Sequence, residues 1–132
     1  MTPQKAPTKA SKPKGKRILI IEDERPLAHA LELKLSHEGY VTETASSGSE
    51  GLKKALAGKF DMILLDLIMP EVDGFEVLAE LKAKKLKTKV IVLSNLGQDE
   101  DKARAKDLGA IEYFVKANTP IVDIVKRVRG AL

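Results

Sequence analysis

Phe60-Asp61-Met62-Ile63-Leu64-Leu65-Asp66 is the stretch on which the fold turns. Its run of large apolar residues does not alternate with polar ones, so it suits a strand covered on both faces. Such strands occupy the middle of parallel sheets, with helices packed on either side. The turn Met69-Pro70-Glu71-Val72-Asp73-Gly74 follows, and Phe75, Val77, Leu78 and Leu81 then recur at helical spacing. The segment therefore reads as one strand-helix unit.

The same alternation repeats outward in both directions. Upstream, Ile18-Leu19-Ile20-Ile21 is a second continuous apolar run, ending in Glu22-Asp23-Glu24. Pro26 suits a first helical turn, and Leu27, Leu31 and Leu35 repeat at i+4 until Gly39. Tyr40-Val41-Thr42-Glu43-Thr44 alternates and is more polar, as an edge strand would be. A second helix is expected over about Ser49–Ala57, with Leu52, Ala55 and Leu56 facing inward and Gly58 closing it. Downstream, Val90-Ile91-Val92-Leu93 ends in Ser94, and a charged helix spans Asp99–Leu108 with Gly109 as its stop. Ile111-Glu112-Tyr113-Phe114-Val115 leads into Lys116, and Ile121, Val122, Ile124, Val125 and Val128 mark a closing helix. Five strands alternating with five helices give an α/β fold with a parallel sheet covered on both faces, because right-handed crossovers leave few other arrangements.

The residues that close the strands carry the chemistry. Glu22 and Asp23 end the first, Asp66 the third, Ser94 the fourth and Lys116 the fifth. In an open α/β sheet these carboxyl ends share one edge, where ligands bind. Taken singly, the acidic run reads as a helix cap and Asp66 as a turn residue. Their joint placement points further. Clustered carboxylates repel one another, and a hard divalent cation such as Mg²⁺ relieves that while leaving one carboxylate ionised as a nucleophile toward a phosphoryl group. Lys116 and Ser94 would then neutralise and hydrogen-bond the phosphoryl oxygens.

At these residues the chain resembles the receiver domain of two-component response regulators, of which the chemotaxis response regulator is the single-domain example. The resemblance runs from Arg17 to about Leu132 and rests on Glu22-Asp23, on Leu65-Asp66-Leu67-Ile68-Met69-Pro70 with Asp73-Gly74-Phe75, on Leu93-Ser94 and on Tyr113-Phe114-Val115-Lys116. It implies a flavodoxin-like, doubly wound five-stranded parallel sheet in the order 2-1-3-4-5 with helices on both faces. It also implies that Asp66 accepts phosphate from a phospho-histidine on a sensor histidine kinase or histidine phosphotransfer protein. Asp23 would ligate Mg²⁺, Glu22 would act mainly through water, and Asp66 and the backbone carbonyl of Ile68 would complete the protein ligands. Ser94 and Tyr113 would be the switch residues and Lys116 the phosphoryl ion pair. The output would be a protein-protein face made by the fourth helix, fifth strand and fifth helix, with dimerisation on phosphorylation as one form of it. Such a chain is a signalling phosphoacceptor rather than an enzyme acting on other substrates.

The sequence departs from the common pattern of that family at three places. Ala117 follows Lys116 where proline is usual, and a cis bond before Ala would cost roughly 2.5–4 kcal/mol. Asn95 stands where a small residue usually follows Ser94 and is expected to narrow access to the phosphoryl group. Ile68 and Leu96 are unable to orient an attacking water, so a long phosphoryl lifetime is expected.

Charge and composition narrow the alternatives. The 132 residues carry 23 Lys and Arg against 19 Asp and Glu, a net charge of +4 that invites a nucleic-acid reading. Residues 1–17 hold six of those cations, three prolines and no acid, so they read as a disordered basic tail with at most weak affinity for polyanions. Residues 18–132 then form the receiver domain, with a net charge of −2. No Cys is present, which excludes disulfides and thiolate metal sites. The chain also has no apolar run long enough for a membrane span, so a cytoplasmic location is expected. A dehalogenase-like phosphatase would need an acid at Ile68, and the acidic Glu22-Asp23-Glu24-Arg25-Pro26 replaces the Gly-rich loop of a nucleotide binder. A pseudo-receiver that binds partners without phosphorylation is the remaining alternative.

Overall fold

The computed structural model describes residues 15–132. Most of the expected tail, residues 1–14, lies outside the described residues, and Arg17, assigned to that tail from sequence, instead opens the first strand. The elements are β1 (Arg17–Ile21), α1 (Arg25–His37), β2 (Val41–Ala45), α2 (Gly48–Ala57), β3 (Met62–Asp66), α3 (Gly74–Ala83), β4 (Lys89–Ser94), α4 (Asp99–Asp107), β5 (Ala110–Val115) and α5 (Ile121–Ala131). All four strand pairings are parallel and the order is β2-β1-β3-β4-β5, the doubly wound arrangement that the resemblance implies.

Strand residues alternate between two cores. Ile63 and Leu65 of β3, with Leu19 and Ile21 of β1, face a core closed by Ala55 of α2, Phe75, Val77, Leu78 and Leu81 of α3, and Ala105 of α4. Met62 and Leu64, with Ile18 and Ile20, face the other, closed by Ala28, Leu31 and Leu35 of α1 and by Ile124, Val125 and Val128 of α5. Every one of these β1 and β3 side chains is fully buried, and each contributes about 1.5–3 kcal/mol of transfer free energy.

Helix starts are set by local chemistry. Pro26 sits in the first turn of α1. Ser47 Oγ accepts from the Glu50 amide at 3.2 Å and caps α2, while Glu50 Oε1 accepts from the amide of the preceding Ser46 at 2.8 Å. Asp73 Oδ1 accepts from the Glu76 amide at 3.0 Å and starts α3. The chain turns out of α1 through Gly39, whose φ of 102° suits the absence of a side chain.

Two expectations change. Leu56 was expected to face inward but is exposed, because the buried positions of α2 are Gly48, Gly51 and Ala55. An added Cβ at Gly51 would lie 2.6 Å from Ile21 Cδ1, so small residues let α2 approach the sheet more closely than leucines would. Phe60 and Asp61 precede β3 rather than belonging to it. The Phe60 ring is buried under the Arg17 guanidinium, 4.6 Å from its centroid.

A closer approach occurs at Gly74, whose amide donates to Leu67 O at 3.0 Å. A Cβ there would lie 2.5 Å from Asp66 O and 2.6 Å from Leu67 Cα, both backbone atoms. Gly74→Ala is therefore expected to destabilise the fold by about 1–3 kcal/mol, read as a lower urea midpoint at unchanged slope.

The β4–β5 register shifts: Val90 pairs with Ala110 but Ile91 pairs with Glu112, leaving Ile111 as an extra residue in the edge strand. Ile111 is exposed, and Glu112 is held by Arg127 at 2.7 Å.

Candidate functional site

Register brings the strand ends together. Ile21 pairs with Leu65, Asp66 with Leu93 and Ser94 with Val115, so Glu22, Asp66, Ser94 and Lys116 emerge at the same level of the sheet. Glu22, Asp66 and Ser94 are buried, whereas Asp23 is exposed at the mouth. Carboxylate oxygens of Glu22, Asp23 and Asp66 lie within 4.8 Å of one another.

Among the described residues, Lys116 supplies the ammonium of this cluster. Its Nζ lies 2.8 Å from Glu22 Oε1, 3.2 Å from Asp66 Oδ2 and 3.0 Å from Glu24 Oε2. Sequence reasoning did not foresee Glu24, which it placed in a helix cap; the Glu24 side chain makes no cap hydrogen bond and turns to Lys116 instead. Backbone amides orient both buried acids: the Glu24 amide donates to Glu22 Oε2 at 3.0 Å, and the Ile68 amide to Asp66 Oδ1 at 3.1 Å. The Ile68 side chain is exposed.

Ser94 Oγ accepts from the Leu96 amide at 3.2 Å, and Tyr113 Oη donates to Leu96 O at 2.5 Å. Tyr113 is half-buried, with its hydroxyl on the loop after Ser94. Asn95, expected to narrow the site, is exposed and accepts from the Ala117 amide at 3.0 Å. The Lys116–Ala117 peptide is trans, and Lys116–Asn118 form a 3₁₀ turn.

Burial sets the electrostatics. It pushes the Glu22 carboxyl up to about 7, against the pull of Lys116 and the Glu24 amide. Asp66 is likewise raised by burial, opposed by the Ile68 amide and Lys116. Burial alone would lower the Lys116 ammonium, but its bonds to Glu22 and Glu24 and the Asp66 charge outweigh this and raise it. A carboxyl raised in the folded state favours folding fully below its unfolded value, and that contribution is lost as pH rises through the folded value. Without divalent cations, stability is therefore expected to fall between pH 4.5 and about 7 through Glu22. Urea midpoints in a chelator at pH 5 and pH 8 test this, with a flatter profile for Glu22→Gln.

Three carboxylates converging on one ammonium leave more acid than base, a donor set that suits a hard cation such as Mg²⁺. Glu22, Asp23 and Asp66 are the carboxylates that would hold it. Bound there, the ion would keep Asp66 ionised and offset charge on an incoming phosphoryl group.

Comparison with known proteins agrees with this geometry. The response regulator receiver domain family matches residues 18–129. Response regulator ArlR of Staphylococcus aureus is 38% identical over 116 residues, 88% of this chain and 52% of that protein, so the chain spans about half the length of the curated relatives it matches. Among solved structures, the receiver domain of Francisella response regulator 1452 superposes with a TM-score of 0.83 at 28% identity, covering 89% of this chain and 96% of that one. TrrA of Thermotoga maritima, solved in complex with Mg²⁺-BeF, gives 0.78 at 34% identity over 89% and 99%. The sheet order, the acidic cleft at its carboxyl edge and these matches agree, and the chain belongs to the response regulator receiver domain family.

Proposed function

We propose that Asp66 is a phosphoacceptor whose partner is a phospho-histidine on a sensor histidine kinase or histidine phosphotransfer protein. A carboxylate oxygen of Asp66 forms the new P–O bond as the P–N bond breaks, and the imidazole leaves with the electron pair and takes up a proton. The observation that carries the reading is the Lys116 ammonium 3.2 Å from Asp66 Oδ2 inside a buried acidic cleft. There it meets charge as it develops on the transferred oxygens. Asp23, Glu22, Asp66 and the Ile68 carbonyl would hold Mg²⁺. The chemistry ends on the chain itself, so it serves as a signalling phosphoacceptor rather than as an enzyme for other substrates.

Ser94 and Tyr113 connect that event to the surface. Both bond to Leu96, one through its amide and the other through its carbonyl, so a phosphoryl group drawing Ser94 inward repositions the loop on which the Tyr113 hydroxyl rests. The readout is a population shift of the α4–β5–α5 face toward a downstream protein or a second copy of the chain. A cytoplasmic site of action belongs to the same reading; among the described residues no helix is long and apolar enough to cross a membrane. Nucleic-acid contact is confined to weak attraction by the basic residues 1–17.

The test is intact mass after incubation with acetyl phosphate and Mg²⁺. One phosphoryl group per chain, labile to hydroxylamine as an acyl phosphate is, supports the reading. No adduct at saturation favours the pseudo-receiver.

A further inference from the structure

The Ala117 amide is bonded to a side chain 22 residues away, Asn95 Oδ1, at 3.0 Å. This bond links the loop that carries Lys116 to the loop that carries Ser94, the two groups assigned to the phosphoryl oxygens. We infer that Asn95 is a positioning residue whose carboxamide holds the Lys116 backbone in place so that its ammonium reaches Asp66. The inference rests on the reading of Asp66 as phosphoacceptor.

Lys116 needs such a restraint. Its Nζ is shared among Glu22, Glu24 and Asp66 at 2.8 to 3.2 Å, with Asp66 the most distant, so attraction alone does not select the productive contact. The backbone must limit where the ammonium goes. Besides the Thr119 amide, which donates to Lys116 O at 3.4 Å, two side-chain bonds hold that backbone: Thr119 Oγ1 donates to Val115 O at 2.8 Å within the loop, and Asn95 reaches the Ala117 amide from outside it. The second bond needs a donor at 117, which proline would lack. The 3₁₀ turn over Lys116–Asn118 needs a non-proline there too, since the residue before proline is kept out of the helical region.

The anchor on the other side is firm. Asn95 lies between Ser94, whose Oγ accepts from the Leu96 amide, and Leu96, whose carbonyl accepts from Tyr113. Ser94 is fully buried. Asn95 and Ala117 are both exposed, so water competes for their bond and its loss barely alters folding stability. Its effect falls on the rate of phosphoryl transfer, where small displacements of a positioned group matter.

The test compares initial rates of acetyl phosphate-dependent phosphorylation at saturating Mg²⁺, urea midpoints, and exchange of the Ala117 amide proton by NMR in the unphosphorylated protein. Asn95→Ala is expected to slow phosphorylation about three- to tenfold, leave the urea midpoint unchanged and speed Ala117 exchange. Asn95→Asp, which keeps an acceptor oxygen, and Ala117→Gly, which keeps the donor, should stay within about twofold of the parent rate. Ala117→Pro should slow it, and adding Asn95→Ala should slow it no further. A parent-like rate for Asn95→Ala, or an Asn95→Asp rate as low as that of Asn95→Ala, overturns the inference. Unchanged Ala117 exchange in Asn95→Ala overturns the bond itself, whatever the phosphorylation outcome. A parent protein that accepts no phosphoryl group overturns the reading of Asp66 instead.

Discussion

Under conditions that load the parent chain with one phosphoryl group, Asp66→Asn is expected to remain at its unmodified mass. The carboxamide matches the carboxylate in shape and still offers an oxygen to the Ile68 amide, now 3.1 Å from Oδ1, so the loop after β3 keeps its orientation. It is no nucleophile toward phosphorus, and no other residue takes its place. Glu22 is buried and occupied by Lys116, while Asp23 is exposed at the mouth. Because burial raises the Asp66 carboxyl, removing its charge also relieves the folded state. At pH 8 without divalent cations the variant should therefore be at least as stable as the parent, which separates lost chemistry from lost folding. An adduct on the variant, mapped to Glu22 or Asp23, would assign the chemistry elsewhere.

Lys116→Met is expected to cost the cation-free protein about 3–5 kcal/mol at pH 8, the penalty for leaving buried carboxylates without their partner. Glu22 and Asp66 would face each other almost fully buried, with only amide donors to offset them. The acids escape by taking up protons, at about 1.4 kcal/mol for each pH unit above the carboxyl value. The defect should accordingly shrink toward pH 5. Mg²⁺ should restore much of the lost stability at pH 8 without restoring phosphorylation, since the cation replaces the charge of the ammonium but not its position. Chemical denaturation in chelator and in Mg²⁺ reads both effects. A loss below about 1 kcal/mol in chelator would mean that the acids are solvated rather than paired.

The fold was legible because a strand in the middle of a parallel sheet has no wet face. Ile18–Ile21 and Met62–Leu65 announced two central strands, and the polar alternation of residues 41–44 announced an edge. The convergence of the candidate residues was legible because the residue that ends each strand is fixed by register, which brings Glu22, Asp66, Ser94 and Lys116 to one level. Contacts that depend on where a loop side chain turns were not legible. Glu24 stands at the N-cap of α1 as read, but its carboxylate turns to Lys116 instead of capping, and the bond from the Ala117 amide to the Asn95 carboxamide had no signal in the sequence. On α2, Leu52 and Ala55 face inward as expected, and Leu56 was misread for another reason. Apolar bulk is the usual mark of a buried position, yet here glycines are buried so that the helix lies close to Ile21, and Leu56 is left outside.

The extra residue in β5 has a consequence for the molecule among its neighbours. Ala110–Val115 is short, apolar and at the rim of the sheet, the kind of strand that adds to the rim of another copy and extends into aggregates. The bulge at Ile111 breaks the straight ladder such growth requires, and the Glu112–Arg127 pair sets charge in its path. The bulge and the ion pair thus keep this edge from offering a straight template to the sheet of a second molecule.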